Sequence, residues 1–207
     1  MTLTLYTNPQ SRGRIARWML EEVGEPYETR IVEFGPAMKG PEYRAINPMG
    51  KVPALVHDGK VVTENAAILS YLAEAFPGAG LMPEDRAGFW RWMYFGAGPL
   101  EYAQVNRSFG WDVTETRDRG RLGYGSYDDV IATLRAHLQV HDYLCDERFT
   151  VVDVFIGSQV GFGLRMGMID PDPAFTAYWE RLFARPAGAR ARDIDDRLVA
   201  ERQAAHA

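Results

Sequence analysis

Hydrophobic and polar positions change period along the chain, and the changes mark out its elements. Between Thr2 and Thr7, Leu3 and Leu5 alternate with polar or aromatic neighbours, the two-residue period of a strand. Asn8-Pro9 breaks that strand. From Arg12 onward Ile15, Trp18, Met19 and Val23 share one helical face, until Gly24 and Pro26 stop the helix. Tyr27 to Glu33 alternates again and reads as a second strand. Phe34 to Ile46, with Gly35-Pro36 and Gly40-Pro41, reads as a loop holding at most a short helix. Pro53 to His57 and Lys60 to Thr63 flank Asp58-Gly59, a pair suited to the positive φ angles of a tight hairpin. A helix then opens at Glu64-Asn65, turns Ile68, Tyr71, Leu72 and Ala75 inward and closes at Pro77-Gly78. This order, β-α-β then β-β-α, predicts a small four-stranded sheet flanked by helices.

The pattern then becomes helical throughout. Residues 78–83, rich in Gly and Pro, form the expected linker between a domain at 1–77 and an all-helical domain at 84–207. Glu84 to Trp111 is an aromatic-rich helical stretch, bent or broken near Gly96-Ala-Gly-Pro99. Asp112 to Gly125 is charged and glycine-bearing, so a loop. Ser126 with Asp129, and Thr150 with Asp153, are acidic variants of the capping box, each ahead of an apolar helical run. In the run from Val151 to Met168, Gly157 and Gly161 stand one turn apart and leave room for a second helix. Asp172-Pro173 opens the next helix, which runs to Arg185. The tail from Arg192 is polar and is expected to fray at the end.

Composition narrows the function classes. The 207 residues are 46% hydrophobic and 25% charged, ordinary for a globular protein with a core of its own. A net charge of −5, mixed along the chain, argues against nucleic acid or an anionic membrane as partner. No apolar run is long enough for a membrane span, and no signal-like segment stands at the N-terminus. Cys145 is the only cysteine, so there is no internal disulfide, and a reducing cytoplasm is the expected compartment. His137 and His141 are spaced as a metal pair on a helix but lack a third ligand, so no metal is expected. Cys145 itself reads as a small buried residue.

Ser11 stands at the mouth of the first strand-to-helix turn. A hydroxyl there either caps the helix or, with the free N–H groups and the helix dipole, holds an anion. Motifs further along bear on that choice. Asn47-Pro-Met-Gly-Lys-Val-Pro-Ala-Leu55, Thr63-Glu-Asn-Ala-Ala-Ile-Leu69 and Phe149-Thr-Val-Val-Asp-Val154, in this order, resemble the cytosolic glutathione transferases over essentially the whole chain. The bacterial members with a theta-like serine on the first turn are the most similar. The resemblance implies an α/β thioredoxin-like N-terminal domain that binds glutathione, and an all-α C-terminal domain with a pocket for a hydrophobic electrophile. It also implies a two-fold homodimer.

The same resemblance implies the site. Val52-Pro53 matches a cis-proline clamp whose Val52 backbone pairs with the cysteinyl part of the tripeptide. Glu64 takes the ammonium of the γ-glutamyl end, while Asn65, where most relatives have Ser, takes its carboxylate with the helix N-terminus. Lys51 and Lys39 serve as cations, the latter toward the glycine carboxylate. Met38 departs from the histidine of theta-like members, and Arg14 is a weaker candidate. Ser11 is the implied thiolate-stabilising group, with Tyr6 on the first strand as rival donor or core residue. Gln10 sits near where some bacterial relatives carry a reactive cysteine. Pro9 and Tyr102 are the expected pocket residues for the electrophile. Thiol transfer to a hydrophobic electrophile is therefore the expected reaction. The alternatives are a glutathione-dependent peroxidase or disulfide reductase, and a non-catalytic interaction module of the same fold.

Overall fold

A computed structural model describes residues 2–111, 113 and 115–205. The chain forms two compact units, one running up to Met82 and resuming at Ala184, the other spanning Pro83–Phe183. The first contains a thioredoxin-like sheet of four strands, β1 (Leu3–Thr7), β2 (Glu28–Ile31), β3 (Ala54–His57) and β4 (Lys60–Thr63), in the order β2-β1-β3-β4. β1 pairs parallel with β2 and antiparallel with β3, and β3 pairs antiparallel with β4. The parallel pair is bridged by α1 (Gly13–Val23), as a parallel connection requires. Asp58 and Gly59 take the left-handed backbone of the β3–β4 turn. Leu3, Leu5, Ala16, Met19, Leu20 and Leu55 are buried in this unit, with Ile68, Leu69 and Leu72 of α4 (Asn65–Ala75).

Between β2 and β3 the chain makes two single-turn helices, α2 (Pro36–Lys39) and α3 (Pro41–Arg44), each with Pro in its first turn. The last helix of the chain differs from the sequence reading. The polar stretch from Arg192 continues a helix as far as the described residues go: α11 (Pro186–Ala205) is helical for 20 residues and packs on α1. By its contacts this helix groups with the first unit. Salt bridges line the contact, from Arg185 to Glu22 and from Arg190 to Glu21, with Arg17 and Asp195 paired at its centre and each about 1% exposed.

The second unit is helical: α5 (Arg86–Phe95), α6 (Glu101–Phe109), α7 (Thr116–Arg119), α8 (Tyr127–Leu138), α9 (Val151–Arg165) and α10 (Pro173–Phe183). The bend foreseen near Pro99 is a π-helical segment, Gly96–Leu100, joining α5 to α6. A proline removes one helix hydrogen bond, and the wider π turn absorbs that loss without ending the helix. The charged stretch after Trp111 is not all loop, since α7 lies within it. Residues 112 and 114 of that stretch are outside the described residues. Gly157 and Gly161 on α9 face α10. A Cβ at 157 would collide with the Leu182 side chain, and one at 161 would stand 2.6 Å from the Trp179 ring.

Ser126 and Thr150 both cap their helices, but only Thr150 with Asp153 makes the reciprocal backbone bond of a capping box. Ser126 Oγ accepts from the Asp129 N–H at 3.1 Å and donates to Asp129 Oδ2 at 2.6 Å. Thr150 and Asp153 cap α9 reciprocally. Asp153 is fully buried, and its carboxylate accepts from Leu144 N, Thr150 N and the Tyr178 hydroxyl at 2.9–3.0 Å. Cys145 is also buried, and burial with the nearby Asp153, Asp85 and Asp146 carboxylates pushes its thiol up to about 12. The thiol is thus held protonated and away from the reactive thiolate form. No helix among the described residues is long and apolar enough to cross a membrane.

Candidate functional site

The sheet register brings three loop segments to one edge of the first unit. Ala54 lies opposite Tyr6 on one side and Thr63 on the other. The chain leaving β1 toward Ser11, the chain entering β3 through Val52-Pro53 and the chain leaving β4 into Glu64-Asn65 therefore emerge side by side. A hydrogen bond closes the group: Asn65 Nδ2 donates to the Arg12 carbonyl at 3.1 Å, tying the start of α4 to the start of α1.

The first turn is built by Asn8, which is fully buried. Its Nδ2 donates to the Val32 carbonyl at 3.0 Å and its Oδ1 accepts from the Gln10 N–H at 3.0 Å, an Asx turn. Its carbonyl accepts from the Ser11 N–H at 3.0 Å and from the Ser11 hydroxyl at 2.7 Å. Ser11 Oγ in turn accepts from the Gly13 N–H at 2.9 Å. The N-cap position belongs to Arg12, one residue later than expected, and Ser11 supplies the capping oxygen from outside it. Gly13 is required here: a Cβ would fall 1.9 Å from Thr7 Oγ1, beneath the turn. Tyr6 packs with Val32, Met38 and Tyr43, its ring 6.1 Å from that of Tyr43. Pro9 is buried in the same turn.

The segment before β3 is built the same way. Asn47 is buried, its Oδ1 accepting from Met49 N at 3.0 Å and its Nδ2 donating to the Lys51 carbonyl at 2.8 Å. The Tyr43 hydroxyl donates to that carbonyl too, at 2.6 Å, and burial holds the phenol protonated by pushing it up to about 12. The Val52-Pro53 bond is cis. The Val52 N–H and C=O make no hydrogen bond among the described residues, leaving an unpaired backbone edge next to β3. Lys51 is exposed with its ammonium unpaired among the described residues. Lys39 is not free in that sense: Nζ donates to the Gly50 carbonyl at 2.6 Å and the Met49 carbonyl at 3.1 Å, bracing the loop.

Glu64 precedes α4 with φ 67 and ψ 125, a left-handed backbone for a residue with a side chain. Such a conformation costs about 1–3 kcal/mol and concentrates at functional sites. Its carboxylate has no partner among the described residues. Asn65 donates one of its two amide protons to the Arg12 carbonyl, and its Oδ1 is buried without a hydrogen bond. The side chain thus keeps one N–H donor beside the unmet acceptor, and a carboxylate at this helix start would be met by backbone N–H groups.

The sequence reading has Asn8 only as part of a strand break and Asn47 only as the first residue of a family motif. Asparagine before proline, twice, was the signal for two matching Asx turns. In the helical unit Tyr102 is exposed, and it lies outside a cavity of about 270 Å³ lined by Asn106, Arg107, Arg119, Tyr124 and Tyr127 among others. No three His, Cys, Asp or Glu side chains among the described residues are grouped to hold a metal.

Comparison with known proteins agrees with this architecture. Residues 12–75 match the glutathione S-transferase N-terminal domain model. Over 170 residues the chain is 34% identical to glutathione S-transferase 3 of Schizosaccharomyces pombe, covering 73% of this chain and 70% of that protein. It is 29% identical to glutathione S-transferase GST-4.5 of Xanthomonas campestris pv. campestris, over 88% of this chain and 93% of that one. The theta class glutathione S-transferase of Xanthomonas axonopodis pv. citri, solved with glutathione bound, superposes with a TM-score of 0.74 and 31% identity over 92% of this chain and 96% of its own. Identity at this level, spread over most of each chain, makes the protein a member of the glutathione S-transferase family.

Proposed function

We propose that the protein is a theta-like glutathione transferase in which Ser11 stabilises the glutathione thiolate for attack on a hydrophobic electrophile. The observation that carries this reading is the register that sets the Ser11 turn, the unpaired Val52 edge and the Glu64-Asn65 helix start side by side. The cysteinyl backbone of the tripeptide adds to the Val52 edge as a short strand would. Glu64 takes its ammonium, the N–H groups opening α4 take the adjacent carboxylate, and Lys51 serves the glycine end with the remaining proton of Lys39. The sulfur then faces Ser11. Turning the hydroxyl proton from Asn8 to the sulfur orphans nothing, because the Asn8 carbonyl keeps the Ser11 N–H. Pro9, in the Ser11 turn, belongs to the electrophile side, and the protein works as a cytoplasmic homodimer.

A hydroxyl, rather than a thiol, on the first turn favours conjugation over peroxide or disulfide reduction. Ser11→Ala is expected to raise the pKa of the bound thiol by about one to two units, the equivalent of one charge-assisted hydrogen bond. Tyr6→Phe should leave it unchanged, as the packing of Tyr6 with Val32, Met38 and Tyr43 implies. Thiolate absorbance titrations of glutathione bound to each variant read both; a shift in Tyr6→Phe alone reassigns the role. Glu64→Gln is expected to weaken glutathione binding by about 1–2 kcal/mol in calorimetry, since the amide keeps an acceptor but drops the charge. Equal affinity removes Glu64 from the site.

A further inference from the structure

Ion pairs run along the docked C-terminal helix. Arg185 meets Glu22, Arg190 meets Glu21, Asp195 meets Arg17, Asp196 meets Arg14, and Arg202 meets Glu33. Arg14 differs from the other cations in what its second donor reaches. Nη2 donates to Asp196 Oδ1 at 2.7 Å, while Nε donates to the Pro9 carbonyl at 2.5 Å. One guanidinium thus spans from the last helix to the middle of the turn that carries Ser11.

We propose that Asp196, acting through Arg14, positions the Pro9–Ser11 turn, so that α11 sets the aim of the hydroxyl that meets the glutathione sulfur. The inference rests on the Ser11 reading for its catalytic consequence. The Arg14–Asp196 pair is partly solvated, with side chains 32% and 66% exposed, and a pair of that kind adds little to stability. Its value is geometric. The rigid fork of arginine fixes two acceptors at once, and freeing one end returns rotamer freedom to the other. Arg17 and Asp195, buried next door, keep α11 docked when Asp196 changes, so the positioning effect separates from unfolding.

Charge and geometry predict opposite signs. Removing a carboxylate near the site, by itself, favours the thiolate and lowers the thiol pKa. Releasing the turn misaims the hydroxyl and raises it. Asp196→Ala is therefore expected to raise the bound thiol pKa by about half a unit to one unit, less than Ser11→Ala, with glutathione affinity nearly unchanged. Asp196→Asn, which drops the charge but keeps Oδ1 as an acceptor for Arg14, should stay at or slightly below the parent value. In the same Asp196→Ala protein the Ser11 amide, donor to Asn8, should exchange its hydrogen about three times faster or more at unchanged global stability.

The two measurements keep the outcomes apart. Faster exchange with a raised pKa in Asp196→Ala, reversed in Asp196→Asn, supports the proposal. Unchanged exchange at Ser11 overturns it, as does a pKa lowered in both variants, which reduces Asp196 to a distant charge. If Ser11→Ala itself leaves the pKa unmoved, the Ser11 reading fails. The exchange result then still decides whether Asp196 positions the turn.

Discussion

Asp153→Ala is expected to destabilise the helical unit by about 3–5 kcal/mol, because it leaves several buried donors without an acceptor. Those donors are the Leu144 and Thr150 N–H groups and the Tyr178 hydroxyl. The carboxylate therefore joins three segments: the chain before α9, the first turn of α9 and the middle of α10. Urea unfolding read by fluorescence checks the value, and a loss below about 1 kcal/mol shows that the cap is locally replaceable. The pH dependence has a definite sign. Burial raises the Asp153 carboxyl to about 6, outweighing the hydrogen bonds that lower it. Against an unfolded value of about 3.9, the folded state keeps a proton that the unfolded chain has already released. Stability from this group is thus fully present below about pH 4, falls as pH rises toward 6 and is level beyond. Asp153→Asn, which does not titrate, should lack that slope; a parental slope retained in the variant assigns the titration elsewhere.

Asp195→Ala should be comparably severe, about 3–5 kcal/mol, since it strands a buried guanidinium. Arg17 is about 1% exposed, and its Nε–Asp195 Oδ1 contact is 2.9 Å. Its Nη1 donates to Tyr27 and Thr29, while Nη2 and Asp195 Oδ2 have no hydrogen-bond partner among the described residues. An ion pair so incompletely satisfied recovers only part of its desolvation cost. The pair is thus costly to break and of modest net value to possess. Arg17→Met combined with Asp195→Leu should accordingly be less destabilised than Asp195→Ala alone. A double variant worse than the single one would show that the pair contributes net stability as well as matching charge.

The sheet was legible because its signals are local. Leu3 and Leu5 carry the strand period, and Asp58-Gly59 supplies a turn that needs left-handed backbone. The helix α11 escaped for a physical reason. Its buried residues are Ala187, Gly188, Ala191 and Asp195, small or charged, so no apolar stripe marks the face that packs on α1. At the site, Val52-Pro53 and Glu64-Asn65 were visible as motifs. The work of Asn8 and Asn47 was not, because an asparagine that breaks a strand and one that builds a turn look alike until its partners are known. Lys39 carries a second task that its position in the sequence did not show: it braces two carbonyls of its own loop.

The first unit is assembled from segments that precede and follow the helical unit. During synthesis its sheet and α1 leave the ribosome before the helical unit, yet Arg17 meets Asp195 only after α11 has emerged, and the whole helical unit is made in between. Proteins usually fold domain by domain from the N-terminus, but here that order is inverted in part. The helical unit has all its own residues first, and the unit with the four-stranded sheet must wait, incomplete, for α11.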